Sequence, residues 1–380
     1  MLTLYELVWR PAAALIRRSD PQVAHDRTLA LMRLADGSDT VGSLARLANR
    51  LAFPERPTNV GGVTLPHPII LAAGLVKGDG FDDEAAARAA VAAGRNIVPG
   101  WRSATALMGA VEVGSFTLRP RLGNRGRVLW RDHAARSMQN RIGLRNPGAR
   151  AAAAHLRSVA SRLPAVWGLN IAASPGVDDL DRSAAEIGEA AAIFAEALGD
   201  LERGPAWFTL NLSCPNTEDD PRGRQSGDVA LRLGRTLVEA VGVPVWLKIG
   251  PDLSAEQISA LAAAATETGL RAIIATNTLA RPTPEGGAWA GLSGAPLRPL
   301  ALRSVTALRE AIDAAGGGLD VIACGGILEG SDLRAFQAAG ARAAMVYSAL
   351  VFRGPLAAAL ILREAEAQTA VETAPWGGHA

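Results

Sequence analysis

Two lysines stand out because the rest of the basic complement is arginine. Of 39 Lys and Arg residues, only Lys77 and Lys248 are lysine. An ammonium is a compact point charge that the planar guanidinium fork does not reproduce. A chain that otherwise uses Arg therefore marks its lysines as candidates for chemistry; chance survival under a general Arg bias is the plain alternative. Four asparagines, Asn140, Asn211, Asn216 and Asn277, stand at strand ends or in adjoining loops. Each amide offers both a donor and an acceptor, a set that suits a planar ring with alternating N–H and C=O groups. Turn formation explains any one of them, but four together point to a ligand. Cys214 lies among them, before Pro215. A thiol, with a reference pKa of about 8.5, accepts a proton near neutrality far more readily than a serine hydroxyl. Thr217 could relay that proton toward water. An inert buried thiol is the competing reading. Gly325-Gly326 and Ser348 suit a phosphate, because glycine lets backbone N–H groups approach anionic oxygens. A lone Gly-Gly is ordinarily a tight turn, so position must decide.

The surrounding pattern supplies that position. Short apolar runs at Ile69–Ala72, Val111–Gly114, Val166–Ile171, Trp207–Leu212, Val245–Ile249, Ala272–Ala275, Val321–Ala323 and Ala344–Tyr347 alternate with Ala- and Leu-rich helical stretches. Alternation of this kind implies a parallel sheet covered on both faces, and eight units favour a closed (β/α)8 TIM barrel. Catalytic residues of such barrels come from the C-terminal ends of several strands. The candidates fall there. Ala73-Gly74-Leu75-Val76-Lys77 follows the first strand and Ser115 the second. Asn170 ends the third; Asn211, Cys214 and Asn216 end the fourth; Lys248 ends the fifth. Thr276-Asn277-Thr278 ends the sixth, Gly325-Gly326 the seventh and Tyr347-Ser348 the eighth. The loops after strands seven and eight are the usual phosphate site.

Residues 1–55 read as an N-terminal helical extension, 56–366 as the barrel and 367–380 as a tail. Pro11 is expected to break or kink the first helix, and Asp20-Pro21 to start the second as N-cap and first helical residue. Residues 97–110 are an extra stretch, and 115–164 a long connection rich in Arg and Gly. The polar run from Glu218 to Gln225 reads as a lid. A formal net charge of +2 suggests no nucleic-acid partner held by bulk charge. Two cysteines offer neither a disulfide framework nor metal-ligand spacing, so no metal is expected and the setting is cytosolic. The N-terminus lacks a secretion-signal pattern, and no apolar run is long enough to span a bilayer. Cys324 sits in a buried-strand pattern and reads as core. Trp9, Trp101 and Trp130 read as packing residues.

Asn211-Leu212-Ser213-Cys214-Pro215-Asn216-Thr217 resembles the catalytic segment of dihydroorotate dehydrogenases. Leu71-Ala72-Ala73-Gly74-Leu75 with Lys77 is similar to their first flavin-binding turn, and Asn140-Arg141-Ile142-Gly143-Leu144 to their substrate loop. Val245-Trp246-Leu247-Lys248-Ile249, Ala275-Thr276-Asn277-Thr278, Gly291-Leu292-Ser293-Gly294 and Tyr347-Ser348 match in family order, from about residue 20 to 355. The resemblance implies FMN, held by Ala73, Gly74, Leu75, Val76, Lys77, Ser115, Asn170, Asn211, Lys248, Thr276, Gly294, Gly325, Gly326, Tyr347 and Ser348. It implies oxidation of dihydroorotate to orotate in pyrimidine synthesis. Lys248 would lie at the flavin N1/C2 edge. Lys77, Asn140, Asn211, Asn216, Asn277, Thr278 and the loop Arg141, Ile142, Gly143, Leu144 would hold the substrate. Cys214 would remove the C5 proton while hydride leaves C6.

A Cys base resembles the soluble class that uses fumarate or nicotinamide acceptors. The helical extension, Asp20-Pro21 with Ala24-His25, and Thr217 resemble the quinone-linked class, as does Arg131, which there faces the acceptor. A quinone, and a membrane surface met by the N-terminal helices on the inner face of the cell membrane, are the expectation. Val76 stands where Asp is usual, Ala172-Ala173-Ser174-Pro175 where a Gly- and Lys-bearing segment is usual, and Leu144 where Phe is usual. Another FMN barrel enzyme acting on a different pyrimidine, and a non-catalytic flavin-binding barrel, are the alternatives. The asparagine set argues against an enone reductase, and intact Lys77, Cys214 and Lys248 argue against a non-catalytic barrel.

Overall fold

Eight short strands form a closed parallel barrel: β1 Ile69–Leu71, β2 Ala110–Phe116, β3 Trp167–Ile171, β4 Trp207–Asn211, β5 Val245–Ile249, β6 Ala272–Ala275, β7 Asp320–Cys324 and β8 Ala341–Val346. Each pairs with the next, and β8 closes on β1. The computed structural model describes residues 2–177, 179–213 and 225–373. Strand side chains alternate between the barrel interior and the surrounding helices. The interior set is Ile70, Ala72, Ala110, Trp207, Trp246, Ile274, Ile322 and Met345, closed at the N-terminal end by Val60, Val63 and Leu65 of a β-hairpin. Trp207 and Trp246 stack with ring centroids 4.4 Å apart. Their bulk requires a glycine beside them: a Cβ on Gly168 would lie 2.0 Å from the Trp207 ring. The other face of the strands packs on the helices through Phe116, Phe194, Phe208 and Phe336. Above the tryptophans the interior turns polar, with Glu112, Asn170, Thr209, Asn211 and Lys248 all buried.

The extension folds as α1 (Leu2–Arg18), α2 (Pro21–Gly37) and α3 (Asp39–Ala52). The break expected at Pro11 does not occur, and α1 runs through it. Anchors on both sides of the proline explain why. The Tyr5 hydroxyl donates to the Arg353 carbonyl at 2.9 Å. Arg131 Nη2 donates to the carbonyls of Ile16 and Ser19 at 2.7 and 2.9 Å, satisfying the end of the helix. Asp20 caps α2 as expected, its Oδ1 accepting from the Gln22 and Val23 amides.

The stretch 97–110 contains a short helix, Ser103–Met108. Buried Asp36, near the end of α2, holds its start: the carboxylate accepts from the amides of Gly100 at 2.7 Å, Ser103 at 2.8 Å and Arg102 at 3.3 Å, and from Asn96 Nδ2 at 2.8 Å. The supposed long connection 115–164 is also structured. It carries strands Leu129–Asp132 and Ser137–Asn140, which join Leu279–Pro282 and Trp289–Gly294 in a four-stranded antiparallel sheet, followed by a helix, Ala149–Ser158. The last helix, Ala357–Thr373, runs past residue 366, where the sequence suggested a tail. Among the described residues, no helix is long and apolar enough to cross a membrane.

Candidate active site

The C-terminal ends of the strands surround a cavity of about 1150 Å³, counting the open space at its mouth. Lys248 lies on its floor, 5% exposed, at the end of β5 and paired in register with Asn211. Among the described residues its ammonium makes no hydrogen bond or ion pair. A buried cation is costly unless something compensates it, so the cavity is built for a ligand that brings acceptors or negative charge to this point. Cys324, at the end of β7, lines the same cavity; burial pushes its thiol pKa up, and the Lys248 charge partly offsets that.

The amides are held rather than loose. Asn211 Nδ2 donates to Ser115 Oγ at 3.0 Å, and its Oδ1 accepts from the Ser213 amide and hydroxyl. Asn277 Nδ2 donates to the Ser213 carbonyl at 2.7 Å, while its Oδ1 accepts from the Thr278 amide. Asn140 reaches the cavity from the end of strand Ser137–Asn140, which the four-stranded sheet lays over the barrel mouth. The loop after it turns through Gly143 and Leu144, both with left-handed backbone, φ +74 and +53. At Gly143 a Cβ would meet the Asn124 side chain at 2.8 Å, so a larger residue would have to displace that side chain and adopt a strained backbone. At the far end, Gly325 and Gly326 also have positive φ. Neither amide has a protein acceptor among the described residues. Ser348 Oγ donates to Ser293 Oγ at 3.1 Å beside them. Free N–H groups and a hydroxyl at one end, and a buried ammonium with amides at the other, match a phosphorylated polar ring system.

A second cavity adjoins the first and shares Lys77, Leu129 and Ile142 with it. Its remaining wall comes largely from α2 (Gln22, His25, Asp26, Leu29) and from Leu75, Pro99, Leu122 and Arg145. Burial, and then the nearby Lys77 charge, push the His25 pKa down to about 4. The imidazole is therefore neutral at pH 7, able to donate from one nitrogen and accept at the other. The extension around this cavity is apolar outward. Leu4, Leu7 and Val8 on α1, Val23, Leu31 and Leu34 on α2, and Val41, Leu44, Leu47 and Leu51 on α3 are all exposed, as is Leu122.

A sequence model of the family described as dihydroorotate dehydrogenase matches residues 57–368. The chain belongs to that family. A dihydroorotate dehydrogenase (quinone) of Methylococcus capsulatus is 33% identical over 370 residues, covering 93% of this chain and 96% of the relative. One from Cereibacter sphaeroides is 35% identical over 367 residues, covering 94% and 92%. The solved ligand-free structure from Eimeria tenella superposes with a TM-score of 0.71 at 25% identity, covering 91% of this chain and 94% of that one. The family is flavin-dependent, and the cavity's donor set fits a flavin: a cation under one edge of a ring and a free-amide cradle for a phosphate.

Most of the residues that the sequence singled out are brought together by the fold. Ala73, Gly74, Lys77, Ser115, Asn140, Ile142, Gly143, Leu144, Asn211, Lys248, Thr276, Asn277, Thr278, Gly294, Gly325, Gly326, Tyr347 and Ser348 come together around the first cavity. Ser115 does so from inside β2 rather than after it. Four expected residues do not line it. Leu75 faces the second cavity. Val76 is fully buried in the core. Arg141 is held through its backbone, its amide donating to the Val128 carbonyl and its carbonyl accepting from Asn124 Nδ2. Asn170 is fully buried below the floor. Cys214, Asn216, Thr217 and the lid candidate up to residue 224 lie outside the described residues. Cys324, read as core, is a wall of the site instead. Arg131, matched to an acceptor-facing Arg, is engaged by the end of α1. Trp130 packs in the overlying sheet, its Nε1 donating to Glu285.

Proposed function

We propose that the protein oxidises dihydroorotate to orotate on FMN, in pyrimidine synthesis, and passes the electrons to a quinone. The observation that carries this reading is the buried Lys248 ammonium, unpaired among the described residues, on the floor of a cavity ringed by Asn140, Asn211 and Asn277. When bound, the flavin supplies the hydride acceptor. Lys248 stabilises negative charge at the ring edge from a site where little water screens it. The Gly325 and Gly326 amides and Ser348 hold the phosphate. Asn140, Asn211 and Asn277, with Lys77 and the sequence-assigned Asn216, orient the planar substrate and its carboxylate. The Asn211 and Asn277 amides are already held by hydrogen bonds to Ser115, Ser213 and Thr278, so little reorientation of these two accompanies binding. Cys214 is the base for the C5 proton, and Thr217 passes that proton outward.

The second cavity receives the quinone. It shares Lys77, Leu129 and Ile142 with the first, which brings an acceptor close to the flavin site without opening the substrate side. The exposed leucines of α1, α2 and α3 rest in a lipid surface, so the protein sits peripherally on the inner face of the cell membrane. Anaerobic stopped-flow tests the whole reading. Dihydroorotate should bleach the bound flavin, and a short-chain ubiquinone should restore its colour faster than fumarate or NAD does. A flavin that dihydroorotate leaves oxidised would overturn the substrate; preferential reoxidation by fumarate or NAD would overturn the acceptor.

A further inference from the structure

Glu112 is fully buried in the barrel interior, in the strand between Val111 and Val113. Its Oε1 accepts from Asn170 Nδ2 at 2.8 Å. Its Oε2 accepts from Trp207 Nε1 at 3.2 Å and from Thr209 Oγ1 at 2.5 Å. A carboxylate that receives three donors and keeps this pattern acts only as an acceptor. It therefore determines which way round the Asn170 amide sits: the NH2 must face Glu112, and Oδ1 must face away. That oxygen is buried and has no donor among the described residues. Buried acceptors are seldom left unpaired, because the desolvation is uncompensated.

The position of Asn170 shows where a donor can come from. β3 lies between β2 and β4. Ser115 of β2 and Asn211 of β4 both line the cavity and hydrogen-bond to each other across β3. Asn170, paired with Gly114 on one side and Thr209 on the other, lies one inward position below that pair, fully buried beneath the cavity floor.

We propose that Glu112 is a positioning residue for the flavin: it locks Asn170 so that Oδ1 accepts the hydrogen bond of the flavin's ring N–H. This rests on the flavin reading above. An oxidised flavin ring carries one N–H, at N3, and that is the ring's single hydrogen-bond donor. Glu112 itself touches neither flavin nor substrate. Trp207 Nε1 can only donate, which makes the consequence of Glu112→Gln specific. The new side-chain oxygen must stay on the Trp207 and Thr209 side, and its NH2 then faces Asn170. Asn170 has to turn its oxygen inward and present NH2 to the flavin N–H, setting donor against donor.

The test titrates full-length apoprotein with FMN and with N3-methyl-FMN, following flavin fluorescence and the visible absorption bands. Wild type should bind FMN about tenfold or more tightly than the methylated analogue, the scale of one hydrogen bond at a buried site. E112Q should bind FMN about tenfold more weakly than wild type and lose most of the discrimination. The double variant E112Q/N170D moves the carboxylate one residue along the same chain of contacts. Its carboxylate, now on β3, accepts from the new amide on β2 and again offers an oxygen to the flavin, so FMN affinity should return to within about threefold of wild type. Wild type that binds both flavins equally overturns the proposal, and that measurement stands even where E112Q fails to fold. So does E112Q with unaltered affinity and spectrum, or a double variant weaker than E112Q. A wild-type protein that binds no flavin at all would instead overturn the functional reading on which this one rests.

Discussion

Replacing Asp36 by Ala should separate the two halves of the proposed reaction. The carboxylate is 2% exposed and joins α2 to the stretch 97–110. Its two strongest backbone contacts, from Gly100 at 2.7 Å and Ser103 at 2.8 Å, are charge-assisted and buried. The Arg102 amide at 3.3 Å is weaker, and Asn96 is near enough to the surface to find water. Hydrogen bonds to a charged group contribute roughly 1.5–3 kcal/mol each, so losing the two strong ones should cost about 3–6 kcal/mol. That is a large fraction of a typical total stability of about 5–15 kcal/mol. Asp36→Asn should be nearly as harmful, because each oxygen receives two donors and an NH2 at either place would oppose them. Urea unfolding followed by tryptophan fluorescence gives the stability change. Since α2 walls the second cavity through Gln22, His25 and Leu29, the KM for quinone should rise while dihydroorotate still bleaches the flavin at its ordinary rate. A stability loss below about 0.5 kcal/mol, within the range of an unremarkable surface change, would refute the reasoning.

Lys248→Ala should slow flavin reduction about a hundredfold or more, the scale of one preorganised electrostatic donor, as read by single-turnover bleaching; an unchanged rate would show that the ammonium has another role. Acid should destabilise the fold. Burial pushes His67 and His155 from 6.5 down to about 4, so the unfolded chain binds protons that the native state refuses between these values; stability is complete above pH 6.5 and declines as pH falls toward 4. At pH 5 the loss should be about 2 kcal/mol for each of the two, and equal urea midpoints at pH 7.5 and 5 would count against it. Serine at Leu4, Leu7, Leu44 and Leu47 together should weaken liposome co-sedimentation at least about tenfold and leave dihydroorotate-driven bleaching intact; full membrane binding by that variant would move the lipid surface elsewhere.

The barrel was legible because each strand is a short apolar run between turn-forming residues. β5 and β6 match the expected Val245–Ile249 and Ala272–Ala275 residue for residue. The four-stranded sheet was not, for a physical reason. Its two hairpins lie far apart in the chain, with Asn140 pairing Gly291 and Ser137 pairing Gly294. Arg131, Asp132 and Arg281 interrupt their alternation, so neither hairpin looks like a strand until the other is present. The Asp36 clamp was equally hidden. Near the end of a helix an Asp reads as solvated surface, and only the insertion folding back onto it makes it buried.

The misses inside the barrel have a different origin, and one rule would have removed them. Strand positions two apart face the same way. Lys248 and Trp246 point inward together, as do Asn211, Thr209 and Trp207. Counting by twos along β7 from inward Ile322 reaches Cys324, so a residue read as core had to meet the ligand cavity. Counting by twos along β2 from inward Ala110 reaches Glu112, a lone acid flanked by Val111 and Val113. In a strand buried on both faces a carboxylate needs donors for its oxygens. Those donors can only be the other inward polar groups at that height, which are Asn170 and Thr209, with the indole of Trp207 below. The parity of a strand and the chemistry of a buried charge together lead from the sequence to the Glu112–Asn170 pair, a step that similarity to the family's flavin-binding segments does not supply.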